Sequence, residues 1–278
     1  MTTLKDLVAQ RFGVELDIGA DMPAEGTLAQ ILGRGSQRHY TDKPVTDDLL
    51  DVLLACAQSA PTKSDLQQYS IIVVRDQKVR EALVGLGAGM DWAPLAPVFL
   101  VFCADLRRIR RLAKHREHDY MNDNLDTFMN GVVDAALAMQ SFITAAESTG
   151  LGTCPISQIR NKVDEACEIL GLPNAVFPIA GLAVGWPKWE KPQISLRLPP
   201  SVVVHRDRYD DSNLEKDVED YDKRRHEHRP IAPAKQRHVA KYGALDYCPW
   251  SENVTRQLSL PERAGFRPFL KLHGMEID

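Results

Sequence analysis

Cysteine is scarce in this chain: Cys56, Cys103, Cys154, Cys167 and Cys248 are scattered, with no CxxC pair and no zinc-type spacing. An odd, dispersed set excludes a disulfide framework and fits reduced thiols in a cytoplasmic protein. No run of 18 apolar residues occurs, so no transmembrane helix is expected. The opening MTTLKDLVAQRFGVELD alternates charge and lacks the apolar centre of a signal peptide. Charge of one sign is also lacking. The 34 Lys+Arg against 38 Asp+Glu leave −4, which gives no bulk electrostatic case for nucleic acid or an anionic membrane. Repeats and low-complexity tracts are absent too. What remains is ordinary globular composition, 44% hydrophobic and 26% charged over 278 residues. At about 100–200 residues per domain, that is one large domain or two small ones.

The patterning predicts helices separated by short strands. Residues 1–25 read as an added helix and loop. A second helix starts after Thr27 and stops at Gly33–Gly35. Residues 46–60 carry apolar side chains at 49, 50, 53, 54 and 57, a core-facing helical stripe capped by Thr46 and ended by Pro61. SIIVVR (70–75) and PVFLVFCA (97–104) are apolar throughout, which suits strands buried on both faces, with a helix between them. The longest helix lies at 125–150 and is apolar nearly all round, so it must run through the protein or an interface. A further helix at 161–173 and a third strand at 176–185 follow. SVVVH (201–205) reads as a short strand, and the chain turns polar after Tyr209 before a last amphipathic stretch.

Four constellations bear on chemistry. RGSQRHY (34–40) sets Arg34, Ser36 and Arg38 at alternate positions, so in extended chain two guanidiniums and a hydroxyl point the same way. Arginine forks match phosphate oxygens, although a solvated basic loop has the same composition. SAPTKSDLQQYSIIVV (59–74) is a polar loop entering a strand, a common place for ligand contacts. GLGTCPISQIRN (150–161) joins a Gly-x-Gly to a stiff Pro155 turn, and it is not the GxGxxG of a dinucleotide fold. SLRLPPSVVVH (195–205) carries an isolated Arg197.

In order and spacing these four pieces resemble the nitroreductase family of FMN-dependent oxidoreductases, and within it the oxygen-insensitive NADPH nitroreductase and flavin reductase branch. The family's R-x-S-x-[RK] stands here as Arg34, Ser36 and Arg38. Its A-P-S-x-x-N-x-Q-P-W segment is Ala60 to Tyr69, its G-L-G-x-x-P-I-x-G turn is GLGTCPISQ, and its R-L-P is Arg197-Leu198-Pro199. GLAVGWP (181–187) matches a strand-to-loop pattern of the family. The resemblance is clear over 28–209 and weaker to the end of the chain.

That resemblance implies an α+β, three-layer α/β/α fold with one central mixed sheet, in an intertwined homodimer that binds FMN at its interface. It implies an N-terminal helical extension (1–26), an FMN-binding domain (27–209) and a C-terminal extension (210–278) packing on the partner. It assigns Arg34, Ser36 and Arg197 to the flavin phosphate, with Gly35 and Gln37 in the same run. Arg38 falls near the ribityl chain and the N1/O2 edge. Thr62, Lys63 and Ser64 would reach the flavin from the partner chain, Gln67 belongs to the same cofactor-binding set, and Pro155, Ile156, Ser157 and Gln158 would lie against the ring. The reaction implied is two-electron hydride transfer from NADPH or NADH, through flavin N5, to a flat electron-poor small molecule such as a nitroaromatic, a quinone or free flavin. The same scaffold also suits reductive dehalogenation, enone reduction or a flavin carrier without turnover.

Three positions depart from the pattern. Asp65 replaces an Asn, Gln158 a Gly, and Ser195 a Lys whose charge Lys191 or Lys63 would have to supply. Basic stretches lie at 106–116 and 223–241. The first reads as a solvated face, while the resemblance makes Arg225, Arg229 and Arg237 candidates for the 2′-phosphate of NADPH. His115-x-x-His118 and His226-x-His228 lack the cysteine or carboxylate partners of a metal site, and no metal is expected. Cys154 reads as a buried structural thiol.

Overall fold

A computed structural model describes residues 2–189 and 192–277. The chain opens with α1 (Leu4–Phe12), α2 (Gly26–Gly33) and α3 (Asp47–Gln58), then β1 (Tyr69–Val73) and α4 (Gln77–Gly85). Next come β2 (Val98–Asp105), α5 (Arg107–His115), the long α6 (Leu125–Ser148) and β3 (Gly152–Ile156). After α7 (Val163–Leu170) and β4 (Val176–Gly185) the remainder is helical: α8 (Pro200–Val203), α9 (Leu214–His228), α10 (Val239–Tyr242), α11 (Trp250–Leu258) and α12 (Phe266–Leu272).

The chain packs as two units, Met1–Gly35 with Gln193–Glu262, and Ser36–Pro192 with Arg263–Asp278. The second unit holds the sheet, in the order β1-β2-β4-β3. All three pairings are antiparallel, which corrects the expected mixed sheet. The physical reason is that α4 and α7 each return the chain to the end of the sheet it left, while β2 and β3, which run the same way and are joined through α6, are kept apart by β4. Leu100 and Phe102 of β2 pack with α3 and α6, while Phe99, Val101 and Cys103 pack on the other face with α4 and α7. Helices on both faces explain why β2 is buried at every position, and they make the three layers. β1 departs from the expectation of burial on both faces. It is an edge strand, and four of its five residues are half-exposed.

Asn124 begins α6, its side chain accepting the Thr127 N–H at 3.0 Å. Phe142 on this helix meets Phe102 edge-on, with ring centroids 6.3 Å apart. In the first unit, residues 200–203 form a helical turn rather than the expected strand, because Pro200 stands at the first helical position, where proline fits. Tyr221 of α9 meets Trp250 of α11 edge-on, at 5.4 Å between centroids.

Candidate functional site

In the first unit, α1 ends at Gly13, whose φ of +67° is left-handed. A β-carbon there would come 2.8 Å from Leu196 Cδ1, so glycine is needed both for the turn and for the close approach. Two residues earlier, Arg11 is buried. Its Nε and Nη2 donate to Leu32 O at 3.1 and 2.6 Å, Nη2 also reaches Arg34 O at 2.5 Å, and Nη1 donates to Ser195 O at 3.0 Å. The carbonyl of Arg11 in turn accepts the Arg197 N–H at 3.0 Å. Arg34 and Arg197, far apart in sequence, are therefore mounted on one residue. Burial lowers the Arg11 pKa, and the like charges of Arg197 and Arg34 lower it further.

In the second unit, Ser36 and Arg38 are exposed on either side of buried Gln37, the alternation of an extended run. Gln37 N–H donates to Thr153 O at 2.9 Å, which seats this run along β3. Gly152 makes room for it, since a β-carbon there would lie 2.6 Å from Gln37 Cγ. The Tyr40 hydroxyl donates to Gln37 O at 2.6 Å, and burial holds its pKa far above the ordinary phenol value, so it stays a neutral donor. The Arg38 guanidinium carbon lies 5.9 Å from the Trp92 ring centroid. Two of the sequence-predicted pieces, 36–38 and 152–156, are thus side by side.

The loop at 62–68 is fastened separately. Ser64, Asp65 and Gln67 all have positive φ, at 50°, 57° and 49°, an unfavourable conformation for residues with side chains. Asp134, fully buried on α6, accepts Lys63 N–H at 3.0 Å and Gln68 N–H at 2.9 Å. From α5, Arg108 donates to Gln67 O at 2.6 Å and Tyr69 O at 2.9 Å. Sequence reasoning missed both residues. An acid interrupting the apolar pattern of 125–150 is a signal for Asp134, whereas Arg108 is one of several arginines in a stretch that reads as a solvated face. Asp65 is exposed and accepts from the Gln67 side-chain amide at 3.0 Å, which answers where that departing acid points.

Pro155 and Ser157 are exposed at the end of β3, and Ile156 is buried. Gln158 turns its amide oxygen to the Ala88 N–H at 3.0 Å, so the residue replacing the family's glycine tethers the loop around Gly87. Cys154 is buried, its Sγ 3.8 Å from Pro155 O. Ser195 offers its carbonyl to Arg11, and Lys191 lies outside the described residues. Of the basic candidates, Arg225 donates to Arg229 O at 2.5 Å and closes the end of α9. Arg237 is exposed, and its N–H is held by Asn253 Oδ1 at 2.8 Å. His228 faces Ile194 O at 3.3 Å, and the His226 ring lies 4.7 Å from that of Tyr247.

The profile of the Nitroreductase family matches residues 31–186, and that of the Nitroreductase family, C-terminal domain, matches 195–278. The chain belongs to the nitroreductase family. It is 37% identical over 197 residues to the FMN reductase [NAD(P)H] of Bacillus subtilis, covering 69% of this chain and 78% of that protein. It is 40% identical over 183 residues to the oxygen-insensitive NADPH nitroreductase of Salmonella typhimurium, covering 66% of this chain and 74% of the relative. Among solved structures, NfrA2 of B. megaterium superposes with a TM-score of 0.81 at 33% identity, over 91% of this chain and 98% of that one. Among the described residues, no helix is long and apolar enough to cross a membrane.

Proposed function

We propose that this protein is an NAD(P)H-dependent FMN oxidoreductase of the nitroreductase and flavin reductase type. Its acceptor is a flat, electron-poor small molecule: a nitroaromatic, a quinone or free flavin. The observation that carries the reading is the mounting of Arg34 and Arg197 on Arg11, which gathers positive charge where a phosphate group would be held. That donor set fits FMN, since paired guanidinium forks suit a phosphate dianion. When bound, FMN supplies a two-electron carrier between nicotinamide and acceptor.

Arg34, Ser36 and Arg197 take the phosphate in this reading, with Gly35 and Gln37 shaping the backbone between them. Arg38 stabilises negative charge gathering at the N1/O2 edge of a reduced ring. Backbone groups of Ile156, Ser157 and Gln158 orient the ring, and exposed Pro155 borders its open face. Thr62, Lys63, Ser64 and Gln67 serve the site of a second copy, in a homodimer with FMN at its interface. Support for the dimer is a row of exposed apolar residues on α6, Leu125, Met129, Val133 and Leu137, repeating every fourth residue along one stripe. Arg225, Arg229 and Arg237 are the candidates for the NADPH 2′-phosphate. Five free thiols suit a reducing compartment, the cytoplasm.

Purified protein is expected to be yellow and to release FMN on denaturation. Under argon, NADPH bleaches it and a quinone restores the colour. Flavin that saturating NADPH and NADH both leave unbleached would end the reductase reading and leave a flavin carrier.

A further inference from the structure

The N-terminal helix α1 lies outside both stretches that match the family profiles. Yet it sends one side chain into the first unit beside Arg34 and Arg197. Arg11 is 8% exposed, and all three nitrogens of its guanidinium are spent on main-chain carbonyls, those of Leu32, Arg34 and Ser195. These carbonyls belong to two segments, the end of α2 leading into Arg34 and the run leading into Arg197. The Arg11 carbonyl completes the frame by accepting the Arg197 N–H. Below it, Gly13 lets Leu196 pack against the end of α1, and Tyr221 donates its hydroxyl to Leu196 O at 3.3 Å.

A buried arginine normally answers to a carboxylate, because a desolvated charge without an opposite partner is costly. Among the described residues, the charges that act on Arg11 are instead those of Arg197 and Arg34, of its own sign. A phosphate held by Arg34 and Arg197 would set an opposite charge beside Arg11. Four of the five N–H groups of the Arg11 guanidinium are given to carbonyls, which ties the fork to the main chain. Its contribution is the placement of Arg34 and Arg197, and a fixed positive charge behind them.

We propose that Arg11 is a positioning residue for the flavin phosphate, and that α1 is an accessory element that preorganises Arg34 and Arg197 to take it. The inference rests on the assignment of those two arginines to the phosphate. It assigns a role to a helix that the family patterns do not cover.

The test compares FMN with riboflavin, which lacks the phosphate, by quenching of flavin fluorescence on the flavin-stripped full-length protein. For Arg11→Met, the FMN Kd is expected to rise at least about tenfold, a change in binding of about 1.4 kcal/mol, while the riboflavin Kd stays within about twofold. A loss shared equally by both flavins, or no loss for either, overturns the proposal, because a merely structural arginine does not discriminate by phosphate. If Arg11→Met does not fold, Arg11→Lys decides. It keeps the charge but not the fork, so a preference for FMN reduced about threefold or more supports the proposal, and full preference overturns it. The double variant with Arg34→Ala and Arg197→Ala separates the two layers. If it keeps the wild-type preference for FMN, the phosphate assignment itself fails. If it loses that preference while the Arg11 variants keep it, only the role of Arg11 fails.

Discussion

Asp134 shows how much a single buried residue can hold. Its two carboxylate oxygens take the N–H groups of Lys63 and Gln68, at either side of a loop with three left-handed residues. In Asp134→Asn one oxygen becomes an NH2 group that faces a donor, which costs about 1.5–3 kcal/mol for the lost charged hydrogen bond. The expected outcome is a lower midpoint in denaturant and faster amide exchange at Lys63 and Gln68. Unchanged exchange at both amides would show that the loop is held by other contacts. Gly13 is the second such position. Gly13→Ala places a methyl on a left-handed residue, costing about 1–2 kcal/mol before the clash with Leu196 is counted, and a thermal melt at the wild-type midpoint would contradict this.

Among the elements, those with an unambiguous period were legible in advance. The stripe of α3 with its Thr46 cap, the apolar run of β2 and the stop of α2 at Gly33 all follow from local pattern. β3 was hidden, because a Gly-x-Gly followed by proline reads as a turn, and only pairing with β4 makes it a strand. α5 was passed over for a different reason: its six basic residues read as a solvated face, although Ile109, Leu112 and Ala113 stand at helical spacing on one side. On α6 the apolar surplus predicted an interface, and Met129 and Val133 stand 56% and 52% exposed on one stripe. If the proposed homodimer forms through this stripe, changing both to Glu converts it to monomer in sedimentation velocity, with loss of bound flavin. A dimer that persists with its flavin places the interface elsewhere.

For the whole molecule, burial governs the thiols. Cys103, Cys154, Cys167 and Cys248 are buried, and Cys56 is half-buried. Burial pushes the Cys167 thiol up to about 12 and raises Cys103 as well, both from an ordinary value of 9.0. Thiols held neutral in the fold favour it below pH 9.0, and that contribution is lost as the pH climbs through their raised values. Melting temperature is therefore expected to fall between about pH 9 and 11, and a rise over that range would refute the account. In native protein at neutral pH a thiol reagent should label Cys56 at most. Labelling of the other four without denaturant would show that their surroundings open readily.

The sequence by itself determined the family, the helices from α1 to α7 other than α5, most strands, and the residue types of the phosphate grip. These depend on local periodicity and on motifs whose members lie a few residues apart. Tertiary structure decided what distant residues do for one another. It made β1 an edge, turned 200–203 into helix, set Asp134 and Arg108 under the 62–68 loop, and hung Arg34 and Arg197 on Arg11. No local pattern encodes such bonds. A buried arginine or aspartate looks like any surface charge until the chain has closed around it and only distant backbone groups remain to satisfy it.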